Sequence, residues 1–412
     1  MVAQHGGRQN APADSIDAVQ TPSNRPLEGV RVADFTWVIA GPSLTKNLAL
    51  LGAEVIRIES STRAEYRARG GNFALLNDNK KSCALDMSQD EARAIAKRII
   101  AQCDIVVENF GKGVMERFGL DYPSLRALKQ DIIMLSCSGL GRTGPDSDKL
   151  AFGTLLQLYS GWSMLQGNPS SDQVVIGGAW TDPLTAIHGT FAILAALYHR
   201  RRTGEGQYID LSMVEATLCG LPEATMGYSM NRTLPTRQGN ADPVLAPHGC
   251  FPCQGHDAWV ALSVGDECEW RALCDAIGKP ELAGDERFSD MYRRKQHEAE
   301  LNAIIADWTQ TLTPYEAMER LQAAGVPAGP SLSILGLTKD PHLRERGLFV
   351  TTTGPDGEEH ITIGPTWRFD PPLDIEFTPA PQLGQDSHYV LTELAGLDPA
   401  EVERLIEAKV VN

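Results

Sequence analysis

The feature that most constrains this chain is the alternation of short β-branched runs with amphipathic segments after residue 26. Val30 to Phe35 (VRVADF) reads as a strand. Gly41 and Pro42 punctuate it, and Ser43 to Leu51 reads as a helix with Leu44, Leu48 and Leu51 on one face. Glu54 to Ile58 (EVIRI) is a second strand, which makes a β-α-β unit, the building block of a parallel sheet. The pattern continues through strands expected at Ser82 to Leu85, Ile105 to Val107, Ile132 to Ser136 and Tyr208 to Met213. Helices are expected at Gln89 to Cys103, Tyr122 to Lys129 and Leu184 to His199. The expected fold class is therefore α/β, with a Rossmann-like doubly wound sheet.

The pattern then changes. Residues 220–247 are polar and rich in Pro and Gly, and read as a linker. Cys250 to Val264 alternates like a hairpin, and helices are expected at Glu267 to Ile277, Gln296 to Gln310 and Pro314 to Ala324, so a smaller α/β unit follows. Asp340 to Phe377 reads as strand-rich, and a last helix, capped by Asp398, runs from Pro399 to Lys409. Residues 1–25 carry no apolar h-region and read as a disordered tail, which favours a cytoplasmic protein.

Charge and cysteine content exclude several functions. With Lys plus Arg at 37 and Asp plus Glu at 53, the net charge is −16, which is wrong for neutralising a nucleic-acid backbone. No apolar run is long enough to span a membrane. The eight cysteines are scattered and read as reduced thiols; Cys250 and Cys253 form a C-x2-C, but no second pair accompanies them, so no metal is expected. The first strand is followed by no G-x-G-x-x-G, and the chain has neither a Walker A sequence nor a G-x-S-x-G elbow.

Chemistry must then rest on something plainer, and Asp182 is the leading candidate. It stands in Gly177-Gly178-Ala179-Trp180-Thr181-Asp182-Pro183, between two apolar segments. Pro183 suits a first helical position, which would make Asp182 the N-cap. The residue reads either as a cap or as a nucleophile, since a carboxylate can form a covalent intermediate with an activated carbonyl. Loops at strand ends could line one crevice: Val107 to Gly111 and the Gly-rich Gly139 to Pro145. Asn77 to Lys81 reads as a turn with two cations, and Arg63, Arg67 and Arg69 follow the second strand; a polyphosphate would suit such a rim.

These motifs, in this order, resemble the class III CoA-transferases, the formyl-CoA transferase and carnitine CoA-transferase family. The resemblance spans Pro26 to Thr36, Ala40-Gly41-Pro42, Leu51 to Ile56, Asn79 to Ser82, Val107 to Phe110, Gly139 to Pro145, Asp182 and Ile193 to Leu197. It continues through Arg202 to Gln207, Gly325 to Pro330 and Pro381 to Gly384. It implies a large Rossmann-like domain built from both chain ends, a small domain between them, and an interlocked homodimer. The implied boundaries are a tail at 1–25, the large domain at 26–205, a linker at 206–228, the small domain at 229–330, and a linker plus the rest of the large domain at 331–412.

The resemblance also implies a reaction. Coenzyme A passes from an acyl-CoA, succinyl-CoA among the common donors, to a carboxylic acid, with no tightly bound cofactor. Asp182 would carry it through an anhydride and an aspartyl-CoA thioester. The CoA contacts would be Val38, Lys80, Asn109, Phe110 and Arg117. Trp37, Ile39, Ser138 and Leu140 replace polar pocket residues of formyl-CoA transferase, which implies an apolar or substituted dicarboxylic acid. Two alternatives stay open: an α-methylacyl-CoA racemase and a subunit of a heteromeric transferase. The racemases' catalytic His falls at Phe152 here, and the nearest substitute, His188, reads as a packed helix residue.

Overall fold

The computed structural model describes residues 24–61, 72–354 and 357–411. Most of the expected tail, together with Arg63, Arg67 and Arg69, lies outside the described residues. Six strands form one sheet: β1 (Arg31–Asp34), β2 (Glu54–Glu59), β3 (Lys80–Ala84), β4 (Ile105–Glu108), β5 (Ile133–Ser138) and β6 (Tyr208–Ser212). Their order is β3-β2-β1-β4-β5-β6, and every neighbouring pair is parallel. The strand order reverses between β1 and β4, which opens a crevice beyond their carboxyl ends.

The period of two in these strands feeds two cores. Val32, Val55, Val107 and Leu135 turn to one face, where helices α1 (Ala40–Leu50) and, further along, Thr181–Thr203 pack with Leu44, Leu48, Ala186 and Ile193. Ala33, Ile56, Val106 and Met134 turn to the other face, against Ile95 and Ile99 of α2 (Asp90–Ala101). That second core also takes Val390, Leu391, Val402 and Leu405, so the C-terminal segment seals the sheet laid down by the N-terminal half. The long helix Thr181–Thr203 stops where Gly204 takes φ +79°, a left-handed conformation that Gly adopts without a Cβ penalty.

A third core lies in residues 248–331. Strands β7 (His248–Pro252), β8 (Trp259–Ser263) and β9 (Ala328–Ser331) form an antiparallel sheet. The helices Glu267–Ala276, Glu298–Thr309 and Pro314–Ala323 cover it with Trp270, Leu273, Leu301, Ile305 and Leu321. A hairpin of β10 (Phe349–Thr353) and β11 (Glu359–Ile363) stands apart from both sheets.

Four expectations need correction. The polar stretch at 220–247 contains a helix, Pro222–Asn231, with no buried residue, so its composition marks exposure rather than a coil. The stretch from Asp340 to Phe377 yields the β10–β11 hairpin and a short helix, Pro341–Glu345, because its prolines interrupt any longer ladder. β3 begins at Lys80, not Ser82, so Lys80 is an inward-facing strand residue rather than a turn cation. His188 is on the exposed face of its helix, not packed.

Candidate active site

The crevice between the ends of β1, β4 and β5 holds a cavity of about 370 Å³. Asp182 is the one carboxylate among its described lining residues, and no histidine lines it. Numbering further helices in chain order, α3 (Gly153–Tyr159) and α4 (Thr181–Thr203) meet α1 here. Asp182 is not the N-cap of α4: the helix starts at Thr181, and Asp182 falls in its first turn. Its side chain points across to α1, where the Ala40 N–H donates to Oδ1 at 3.1 Å. The Thr181 hydroxyl donates to Oδ2 at 3.2 Å. The carboxylate thus meets the first turns of two helices, whose free N–H groups and dipoles favour an anion.

Burial works against that anion. Asp182 is only 5% exposed. Burial pushes its carboxyl above the ordinary range, and the donations from Thr181 and Ala40 offset part of the rise. No cation is bonded to it among the described residues, which leaves a poorly solvated carboxylate. Gly153 makes room for it: a Cβ there would stand 1.9 Å from Asp182 Oδ2. Cys137 also lines the crevice, but burial pushes its thiol well above the ordinary range and keeps it protonated.

The walls come from the loops. Val38 adopts φ +65°, a conformation in which a β-branched residue is an outlier. It lifts Trp37, Val38 and Ile39 into the crevice and aims the Ala40 N–H at Asp182. Asn109, just after β4, clamps this loop: its Oδ1 accepts from the Trp37 N–H and its Nδ2 donates to the Trp37 carbonyl, both at 2.9 Å. Arg142 of the Gly-rich loop donates to Glu108 at 2.7 Å and to the Phe110 carbonyl at 2.9 Å, which ties the ends of β4 and β5 together. Burial raises the Glu108 carboxyl even so, with Arg142 pulling the other way.

Of the residues singled out in the sequence, Asp182, Trp37, Val38, Ile39, Asn109, Phe110 and Ser138 come together around this cavity. Three do not. Leu140, partly buried, packs against the core on the α1 face. Arg117 is exposed on the short helix Val114–Phe118, outside the lining. Lys80 has a fully buried side chain and reaches Asp34, Thr45, Asn77 and the Pro42 carbonyl instead of the crevice. Sequence reasoning missed Lys112 and Lys149, which line the crevice, although Lys112 follows the Asn109-Phe110-Gly111 motif directly. It also missed Gly153 and the Ala40 N–H; a backbone donor leaves no trace in residue identity.

No set of three or more His, Cys, Asp or Glu side chains that could hold a metal occurs among the described residues. No helix among them is long and apolar enough to cross a membrane.

Residues 27–387 match the model of CoA-transferase family III. The succinate–glutarate CoA-transferase of Agrobacterium fabrum is 33% identical over 389 residues, covering 90% of this chain and 96% of that one. The succinyl-CoA–D-citramalate CoA-transferase of Chloroflexus aurantiacus is 32% identical, covering 94% of this chain and 98% of its own. Among solved structures, a CAIB/BAIF family protein from Brucella suis aligns with a TM-score of 0.82 at 30% identity, over 90% of this chain and all of that one. The chain belongs to CoA-transferase family III.

Proposed function

We propose that this family III CoA-transferase moves CoA from succinyl-CoA to a dicarboxylic acid, with Asp182 as the covalent carrier. The observation that carries the reading is a buried carboxylate, without a cationic partner among the described residues, alone among the acidic side chains of the crevice and held by the Ala40 N–H. The relatives named for glutarate and D-citramalate support the choice of donor and acceptor class.

In the first step an Asp182 oxygen attacks the thioester carbonyl. The C–S bond breaks, CoA leaves as the thiolate, and a mixed anhydride remains. The thiolate then attacks the aspartyl carbonyl carbon, the bond from that carbon to the bridging oxygen breaks, and succinate departs with that oxygen, leaving an aspartyl-CoA thioester. The acceptor carboxylate attacks that thioester, and the same two steps run in reverse. The Ala40 N–H sits on the oxygen that becomes the oxyanion each time the aspartyl carbonyl is attacked, so it is already placed to stabilise that charge. Carboxylate is exchanged for carboxylate, so the cycle needs no general base.

The walls suit both ends of such substrates. Trp37, Ile39, Leu150 and Phe152 offer apolar surface to a carbon chain, while Lys112 and Lys149 supply positive charge to the CoA phosphates or a distal carboxylate. A racemase needs an acid/base pair, and Phe152, at the position where the resemblance puts the racemase histidine, lines the crevice with an apolar ring. His188 is exposed on α4 and absent from the lining.

The homodimer belongs to the same proposal. Ile187 and Phe191 on α4 are 63% and 74% exposed, and Met230 of the helix Pro222–Asn231 is 72% exposed. Apolar surface of that extent is what a second copy would cover, in an interlocked arrangement of the two chain ends and the small unit. Light scattering on the full chain is the check; a monomer at micromolar concentration contradicts this part.

The test of the reaction is steady-state turnover with succinyl-CoA and a panel of C4 to C6 dicarboxylates. Parallel-line ping-pong kinetics, abolished in Asp182→Ala, support the reading. Turnover by Asp182→Ala, or α-proton exchange in 2-methylacyl-CoA without CoA transfer, sinks it.

A further inference from the structure

The reaction leaves a buried group of charges unused. Asp34 at the end of β1 and Lys80 at the start of β3 both have side chains with no solvent exposure. Below them Arg57 of β2 approaches Asp34 at 3.8 Å, and Lys46 of α1 pairs with Asp78 at 3.0 Å. Burying such charges is expensive, and replacing them by apolar residues is often neutral or favourable to stability. Their placement relative to one short loop gives them another use.

We infer that Asp34 and Lys80 are positioning residues that lock the β1–α1 loop, so that the Ala40 N–H meets Asp182, and that Lys80 does not bind CoA. This rests on the reading of Asp182 as the covalent carrier.

The two residues grip the loop on opposite sides of its strained centre, Val38. Ahead of it, Asp34 Oδ1 accepts from the Thr36 N–H at 2.8 Å and from the Thr36 hydroxyl at 2.5 Å. Behind it, Lys80 Nζ donates to the Pro42 carbonyl at 2.9 Å and to the Thr45 hydroxyl at 2.7 Å, both in α1. Thr45 in turn donates to Asp34 Oδ2 at 2.7 Å, and Lys80 stands 3.4 Å from the same oxygen, so the two grips share one carboxylate. Thr36 and the start of α1 are in close contact: a Cβ on Gly41 would lie 2.3 Å from Thr36 Cβ. Between the grips only residues 37–41 remain, and they supply three crevice side chains and the donor to Asp182. A non-glycine residue held at positive φ persists where its surroundings over-determine it, and this network does so from below.

Lys80→Met and Thr36→Val test the assignment, because they break the two grips separately. Thr36→Val keeps the shape of the side chain and leaves the ion pair, so it is the variant that folds if Lys80→Met does not. For each, kcat and the KM for succinyl-CoA are measured together with the melting temperature. Misplacing a catalytic group by about 1 Å costs on the order of 100-fold, so kcat is expected to fall about 10- to 100-fold with KM for succinyl-CoA within about twofold. A raised KM with unchanged kcat in Lys80→Met would return Lys80 to the CoA phosphates. A lowered melting temperature with wild-type kcat in both variants would make the pair merely structural. Turnover by Asp182→Ala would instead overturn the nucleophile, whatever these two variants do.

Discussion

Gly153→Ala tests whether the room around Asp182 matters as much as its charge. The added methyl would stand 1.9 Å from Asp182 Oδ2, 2.8 Å from Thr181 Oγ1 and 3.0 Å from Ala179 Cβ. An ordinary contact needs well over 3 Å, so the carboxylate must retreat by more than 1 Å or α3 must shift. A 1 Å displacement costs on the order of 100-fold, which is about 2.7 kcal/mol in the barrier. Overpacking adds roughly 1–3 kcal/mol of destabilisation. That loss of stability, up to about 3 kcal/mol, leaves a protein of this size folded at 25 °C. The assay is CoA transfer from succinyl-CoA at saturating acceptor, beside a thermal melt. We expect kcat down about 100-fold in a folded protein. Wild-type kcat in Gly153→Ala would refute the claim that Oδ2 must occupy that cradle.

Asp182→Asn should abolish turnover without loss of stability. Its carboxyl is raised in the folded state, so the native protein holds that proton more tightly, and stability from this group falls as pH rises through its folded value. The neutral amide avoids that loss at pH 7, and its melting temperature should equal or exceed that of the wild type; a clear drop contradicts this. For the same reason the acid limb of kcat should fall away at a pH above the usual carboxylate range, as read from a pH–rate profile. Asn109→Ala removes both bonds to the Trp37 backbone, and should cost about 1–3 kcal/mol in urea unfolding along with much of kcat. Glu54 is bonded by Arg31, Lys81 and Tyr389 and held at about 2 despite partial burial. Its contribution is complete above its unfolded value near 4.5 and is lost as pH falls toward about 2. Glu54→Gln should therefore cost about 1–2 kcal/mol at pH 7, after allowing for solvent screening, and progressively less as pH falls through about 2.

The sheet was legible because its strands are buried on both faces and alternate strictly, as Val32 and Ala33 or Val106 and Val107 do. The nucleophile candidate was legible because an Asp-Pro pair opening an apolar helix is a local signal, although the cap was read two positions late, at Asp182 rather than Trp180. Lys80 was misread for a physical reason. Asn77 to Lys81 has the composition of an exposed turn, and only the parallel pairing of β3 with β2 turns Lys80 inward toward Asp34. Register is a tertiary property that no short window contains. The same holds for Arg142, whose partner Glu108 lies 34 residues away. Leu140 was assigned to the pocket by its resemblance to a pocket position of formyl-CoA transferase, but the loop packs it against the core. The helix at Pro222–Asn231 was missed because it buries nothing within this chain, and amphipathic pattern needs something to face.

The central claim is that Asp182 carries CoA. Intact-protein mass spectrometry tests it on the wild type and Asp182→Ala, each mixed with succinyl-CoA in the absence of acceptor and then treated with hydroxylamine or borohydride. The account predicts a CoA adduct on the wild type alone, discharged by either reagent to a modification that peptide mapping places on Asp182. An unmodified wild-type protein that still turns over, or the same adduct on Asp182→Ala, would contradict it.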